Sequence, residues 1–219
     1  LITLQDWNTP ARQVAAEKGI TIFELEPVTH IAGKFILQAP SPAKQQSIID
    51  LAQSEDVALI LHTSGTTSRP KMVPLMQKNL CISSANIRKS LKLSPDDRCL
   101  NVMPLFHIHG LCAALLASLS AGASVVCTPG FYAPDFFEWM NLFEPTWFTA
   151  VPTMHQSILN RVSMNNEGLI KNNLRFIRSC SASLAPQVMS GLEKTFNVPV
   201  LEAYGMTEAS HQICSNPFP

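Results

Sequence analysis

The sequence carries no excess charge of either sign: sixteen basic side chains balance sixteen acidic ones, and charged residues make up only 15% of the 219. A chain without a net field does not gather nucleic acid or anionic membranes by long-range attraction, so a polyanionic ligand has to be held by a local site. Aromatic residues are few, at 7%. Trp139 and Trp147 lie among Phe136, Phe137, Phe143 and Phe148, which is core composition rather than a base-stacking platform. No CxxC pair occurs among Cys81, Cys99, Cys112, Cys127, Cys180 and Cys214. Most sit in apolar runs, as buried reduced thiols of a cytoplasmic protein do, and a core of this size needs no disulfide. The longest apolar stretch, residues 111–127, is broken by Ser118, Ser120, Gly122 and Ser124. It reads as a buried helix feeding a strand rather than a membrane span. There is no initiator methionine and no basic leader, and the chain stops at Asn216-Pro217-Phe218-Pro219; both ends are expected to be cuts within a longer protein.

What is present is a long alternation of apolar runs and amphipathic segments. The pattern predicts a helix over 11–18 stopped by Gly19, a strand over 20–25, a linker over 38–45 and a short helix over 46–53. Val57-Ala58-Leu59-Ile60-Leu61 reads as a strand buried on both faces. Helices follow over 77–91, 109–121, 134–143, 152–161 and 186–196. Strands interleave over 98–102, 124–127, 147–150, 174–178 and 198–201. Such alternation implies an α/β fold, a mostly parallel sheet with helices on both faces, whose ligands bind beyond the carboxyl ends of the strands. Residues 1–45 read as the remnant of a preceding subdomain with its linker, and residues 46–219 as an α/β subdomain. Asp96-Asp97, after Pro95, reads as a solvated turn.

The chemistry concentrates after the strand 57–62, in Thr63-Ser64-Gly65-Thr66-Thr67-Ser68-Arg69-Pro70-Lys71. Hydroxyls supply donors to phosphate oxygens, Gly65 lets the backbone approach, and Lys71 adds a point charge. The composition alone fits a polar surface loop equally well. Two commoner motifs do not fit. A P-loop needs glycine where Pro70 stands, and Ser68-Arg69-Pro70-Lys71 as a serine-acylase SxxK would need an uninterrupted helical turn.

The loop resembles the signature of the adenylate-forming superfamily, with Ser68 and Met72 where glycines are usual. Two further blocks occur in that family's order. Met103-Pro104-Leu105-Phe106-His107-Ile108-His109-Gly110 is similar to the block lining the acid pocket, and Glu202-Ala203-Tyr204-Gly205-Met206-Thr207-Glu208 to the block holding adenine, phosphate and Mg²⁺. The resemblance, over 57–219, implies part of the large N-terminal domain of an AMP-forming acyl-CoA synthetase using ATP, Mg²⁺ and coenzyme A. It implies nucleotide contacts from Thr63, Ser64, Gly65, Thr66, Thr67 and Lys71, and from Glu202, Ala203, Tyr204, Gly205 and Thr207. Tyr204 would stack on adenine, Thr207 would donate to the α-phosphate and Glu208 would hold Mg²⁺, with Thr207, Glu208 and Lys71 as the catalytic set.

Together with His62, Arg178-Ser179-Cys180-Ser181-Ala182-Ser183-Leu184-Ala185-Pro186 and Met206-Thr207-Glu208-Ala209-Ser210-His211 look like the oxalyl-CoA synthetase branch. The small residues Ser181, Ala182 and Ser183 would keep the backbone close to adenine. A small dianionic acid such as oxalate would find donors in His107, His109, His211 and Ser181, with His107 and His211 preferred. His30, His155 and Cys180 read as structural. The family's ribose-binding aspartate and late catalytic lysine are not assigned in this chain, and these 219 residues alone are expected to be nearly inactive. Two alternatives stay open within the family: a longer or aromatic acid, and transfer to a carrier-protein thiol. Outside it stands a non-catalytic nucleotide-binding module. Oligomeric state is not indicated; the expected compartment is cytoplasmic, or peroxisomal in a eukaryotic protein that carries a C-terminal address beyond Pro219.

Overall fold

The computed structural model describes residues 1–31, 33–38, 51–63, 70–164 and 172–219. The chain divides into two units, Leu1–Leu51 and Ala52–Pro219. In the first, β1 (Ile2–Leu4) runs parallel to β2 (Phe23–Pro27), and β2 pairs antiparallel with β3 (Phe35–Gln38). Helix α1 (Pro10–Glu17) opens on proline and is followed by Gly19 in a left-handed conformation, φ 63°. Arg12 ties this helix to the strands, donating to Glu24 at 2.7 Å and to the Leu4 carbonyl at 2.8 Å.

In the second unit, β4 (Val57–Thr63) and β5 (Lys71–Met76) form an antiparallel hairpin, and α2 (Gln77–Ser90) follows. The main sheet then takes β6 (Arg98–Asn101), β7 (Ser124–Cys127), β8 (Trp147–Ala150), β9 (Phe176–Ser179), β10 (Val200–Met206) and β11 (His211–Ser215). Its spatial order is β11-β10-β9-β8-β6-β7, parallel throughout except for the antiparallel edge strand β11.

Helix α3 lies between β6 and β7, wound as a π-helix over His109–Leu116 and as an α-helix over Ala117–Ser120. Helices α4 (Ala133–Phe143), α5 (Pro152–Met164) and α6 (Pro186–Phe196) complete the unit. The period-two alternation of strand side chains sorts these helices onto the two faces. Cys99, Trp147, Phe176 and Leu201 pack with residues of α2 and α3. Their neighbours Leu100, Phe148, Ile177 and Val200 pack with residues of α4, α5 and α6. The parallel sheet covered on both faces is therefore the architecture the alternation implies.

Four expectations need correction. The run 57–61 is not buried on both faces: Val57 and Ile60 are about half exposed, because among the described residues β4 pairs only with β5, and Leu59 and Leu61 are the ones that reach the core. Thr63 therefore closes a strand paired antiparallel with β5, not a strand of the parallel sheet. The strand expected over 20–25 begins at Phe23, after the turn at Gly19. The helix expected over 109–121 departs from α-winding for its first two turns. Gly110 within this stretch lets the helix start pack against the preceding loop, since a Cβ there would meet the carbonyl oxygens of Met103 and Pro104.

The fourth correction is Asp97, which is buried, not solvated. It accepts from Arg175 Nε at 2.8 Å and Nη2 at 2.9 Å, from Thr146 Oγ1 at 2.7 Å and from the Ser94 N–H at 2.8 Å. Burial pushes its pKa up, but Arg175 and these donors outweigh burial and hold the carboxyl below its usual value. The linker expected over 38–45 falls, from residue 39 on, outside the described residues. So does the helix over 46–53 up to residue 50, and residues 51–53 are not helical.

Candidate active site

The carboxyl end of β10 meets the described ends of the β4–β5 pair, and β8 and β9 end beside it. Thr63 closes β4 and stands opposite Lys71, the first residue of β5. Residues 64–69, which include Ser64, Gly65, Thr66 and Thr67, lie outside the described residues. Thr63 Oγ1 donates to Glu208 Oε1 at 3.4 Å across 145 positions of sequence. Glu208 sits in a single 3₁₀ turn, Thr207–Ala209, that links β10 to β11. The hydroxyl and lysine of the hairpin are thereby brought to the same edge as Thr207 and Glu208.

Beside this edge opens a cavity of about 430 Å³, lined by residues 181–183, 202–205 and 214–216. Its size lies within the range of ligand pockets, roughly 300–1,000 Å³. Tyr204 stands out into solvent at its wall, 63% exposed, with its ring open to stack on a flat ligand. Glu202 fixes the facing loop by accepting the Leu184 N–H at 2.8 Å, and Ser181 in that loop has φ 76°. Gly205 is required for a different reason. A Cβ there would run into the His211 carbonyl, because β10 and β11 shift register between Tyr204 and Gly205.

Behind the loop lies a buried polar cluster. Arg178, on β9, is wholly buried. Its Nη2 donates to Gln212 Oε1 at 2.9 Å and to His211 Nε2 at 3.1 Å. Its Nη1 lies 3.4 Å from both Thr149 Oγ1 and His109 Nε2. His109 Nε2 is 2.6 Å from Thr149 Oγ1, and its Nδ1 is 3.0 Å from Ser181 Oγ. The His109 and His211 rings stack, with centroids 5.1 Å apart.

Burial, and then the Arg178 charge, pushes His109 well below its ordinary pKa and His211 to about 3, so both rings are neutral. Ser210 and His211 both have positive φ, 55° and 97°, held by Ser83 Oγ donating to the Ser210 carbonyl at 2.6 Å. Three strained side-chain-bearing residues in one cluster is a pattern typical of functional sites.

The structure therefore brings together Ser181, His109 and His211. His107 is not with them. It is exposed, with its ring 5.7 Å from that of the exposed Phe106. His155 is buried and burial lowers its pKa to about 4; His30 is exposed beside Thr29. Sequence reasoning missed Arg178, Thr149 and Gln212. The available signal was an arginine set between Phe176-Ile177 and a run of small residues, on a strand expected to be buried on both faces. Among the described residues no group of three or more His, Cys, Asp or Glu is gathered as a metal cluster. Glu208 would bind Mg²⁺ as a lone carboxylate, the remaining ligands coming from phosphate oxygens and water, the usual manner for that ion. No helix among the described residues is long and apolar enough to cross a membrane.

The chain is 47% identical over 226 aligned residues to an oxalate–CoA ligase of Arabidopsis thaliana, with all of this chain and 43% of that protein covered. It is 51% identical to an oxalate–CoA ligase of Saccharomyces cerevisiae over 77% of the chain and 30% of the relative. The fold matches Bacillus subtilis o-succinylbenzoate–CoA synthetase in complex with ATP and magnesium ion. The TM-score is 0.74 at 26% identity, covering 99% of this chain and 41% of that one. The chain thus spans less than half the length of these relatives. The model of the AMP-binding enzyme family matches residues 6–219, and the chain belongs to that family.

Proposed function

We propose that the protein carrying this chain is an AMP-forming acyl-CoA synthetase. It would activate a small dicarboxylic acid, oxalate foremost, as an acyl-adenylate with ATP before thioester formation with coenzyme A. The observation that carries the reading is the convergence, at one end of a parallel sheet, of a phosphate edge, an aromatic-walled cavity and a buried cationic cluster. Thr63, Lys71, Thr207 and Glu208 form the first, Tyr204 and Ser181 face the second, and Arg178 with His109 and His211 makes the third. The two relatives named as oxalate–CoA ligases support oxalate.

The chemistry needs an acid carboxylate to attack an anionic α-phosphate, and mutual repulsion is the obstacle. Lys71 offsets negative charge at the phosphates, and the Thr207 hydroxyl donates to the α-phosphate. Mg²⁺, when bound at Glu208, would neutralise phosphate charge and polarise the reacting phosphorus. Tyr204 offers its ring to adenine, while the loop 181–183, pinned through Glu202, keeps small side chains along the cavity wall. Ser181 lines this cavity and also touches His109, so acid and nucleotide would meet at that residue. These 219 residues alone are expected to turn over far more slowly than the whole protein.

The test is acid-dependent pyrophosphate exchange by the full-length protein with ATP and Mg²⁺. Oxalate would be compared with malonate, acetate, a medium-chain fatty acid and a coumarate. Oxalate should support the fastest exchange. Preference for a fatty or aromatic acid would refute the substrate while keeping the synthetase, and no exchange with any acid would refute both.

A further inference from the structure

Among the described residues Arg178 is a buried cation with no anion beside it. There its hydrogen-bond partners are Gln212, His211, His109 and Thr149, its Nε has none, and it joins no ion pair. The other titratable groups that act on this cluster are His155 from α5, His107 ahead of α3, Cys99 from β6, Cys112 from α3 and Cys180 after β9. None is a carboxylate. A guanidinium held in a neutral interior is expensive, and its retention calls for a reason other than stability.

The geometry gives one. A guanidinium can only donate, so His211 Nε2 must accept from it, and the proton of that neutral ring sits on Nδ1. His109 Nε2 faces both Arg178 Nη1 and the Thr149 hydroxyl, and is satisfied as an acceptor. Its Nδ1–H then donates to Ser181 Oγ at 3.0 Å, which leaves the Ser181 hydroxyl proton free to point into the cavity. Chained donors of this kind polarise one another in a low-dielectric interior.

Resting on the acyl-CoA synthetase reading, we infer that Arg178 is a positioning residue of the acid site. Its guanidinium fixes His109 and His211 in their Nδ1–H forms, so that Ser181, held by His109, presents a neutral, oriented donor to an anionic group of a small dicarboxylic acid. The charge acts through the two rings rather than by direct contact with substrate. Donor orientation therefore does not depend on protonating a histidine, and acid binding keeps its strength at neutral and mildly alkaline pH.

The experiment compares wild-type full-length protein with Arg178→Gln and Arg178→Lys in pyrophosphate exchange, using oxalate and acetate from pH 6 to pH 8.5. Arg178→Gln should raise the oxalate KM about tenfold at pH 8, with kcat and the ATP KM within about twofold, the scale of one lost charged hydrogen bond. The acetate KM should change less. The ratio of variant to wild-type oxalate KM should shrink towards pH 6, because a histidine freed from the Arg178 field can protonate and attract the anion itself. Arg178→Lys should recover part of the loss. An unchanged oxalate KM, or acid and ATP KM values rising together without pH dependence, would overturn the inference.

A second readout needs no turnover. Histidine-selective ¹⁵N NMR of the wild-type protein should show Nδ1–H forms for both rings, the signals being assigned with His109→Gln and His211→Gln. An Nε2–H form at either ring sinks the proposal even if oxalate is the substrate. Nδ1–H forms in a protein that rejects oxalate would instead fault the substrate assignment.

Discussion

Two glycines on this chain have opposite surroundings, and replacing each with alanine tests whether the β10–β11 crossing is what builds the site. At Gly205 an added Cβ meets the carbonyl oxygen and carbon of His211 and the Gln212 Cα, all of them backbone. No side chain can swing aside, so the two strands must part at the bulge between Tyr204 and Gly205. Forcing a methyl into such filled space costs roughly 3 kcal/mol, the upper end of the usual overpacking range. For a unit of this size that lowers Tm by roughly 6–12 °C.

Gly191, inside α6, is the control. Its Cβ would meet Leu159 Cδ1 at 2.9 Å, the far end of a flexible side chain. A small rotation of Leu159 relieves that contact, and alanine gains up to about 1 kcal/mol of helix propensity over glycine. Gly191→Ala should therefore melt within a few degrees of wild type, on either side. Calorimetry of both variants, with acid-dependent pyrophosphate exchange by the full-length protein, reads the contrast. Gly205→Ala should also lose most exchange, since moving the His211 carbonyl drags its ring from Arg178. A Gly205→Ala protein that melts like wild type and keeps its exchange rate would refute the argument.

Asp97→Asn removes the anion from the Arg175 staple and should cost about 2 kcal/mol at pH 7 by urea denaturation, the scale of hydrogen bonds to a charged group. Because the folded carboxyl titrates below its usual value, the wild-type advantage is present above the unfolded pKa and lost as pH falls through the folded one, so the two urea midpoints should converge in acid. His155 runs the other way in cause but not in direction. Buried neutral with a pKa of about 4, it binds its proton more readily when unfolded, so its contribution is complete above pH 6.5 and falls by about 3 kcal/mol as pH drops to 4. His155→Gln should flatten that part of the Tm–pH curve, and an unchanged slope would remove His155 as the cause. His109→Ala should raise the oxalate KM about tenfold more than His107→Ala in the same exchange assay, as expected for a buried oriented donor against an exposed ring; equal effects would return His107 to the acid site.

The legible part of this fold was the part governed by one local rule. Strands 124–127 and 147–150 and helix 186–196 stand where the apolar runs and the Pro186 start signal put them. Their sequence pattern and their burial have the same cause. The run 57–61 failed because a short apolar stretch says that a strand is buried, not by what. Its partner β5 contains Pro74 and reads poorly as a strand, so the hairpin was invisible. β11 was missed because the Ser210 and His211 backbone, both at positive φ, breaks the pattern just where the chain reverses. Asp97 shows the limit most plainly: a turn aspartate becomes buried only because Arg175, 78 positions away, arrives beside it. The same limit applies to the candidate site. The motifs singled out Ser181, Tyr204, Thr207 and Glu208, which share one end of the sheet, but ranked His107 above His109. Spacing of two residues cannot say which ring turns inward when the helix that follows is π-wound.

The two ends of the main sheet hold its two buried charged centres, and they are resolved in opposite ways. At the amino ends of β6 and β9, Asp97 and Arg175 satisfy each other, and Thr146 and Ser94 supply the remaining donors. That arrangement is complete within the chain and has nothing left to offer a ligand. At the carboxyl ends, Arg178 meets only neutral acceptors among the described residues, and the strain at Ser181, Ser210 and His211 sits around it. Stability alone would favour an apolar residue at position 178, because a well-packed hydrophobe in place of a buried charge is often neutral or stabilising. On the proposed reading, the open end is the one that receives an anion, and the cavity beside Ser181 leaves room for it.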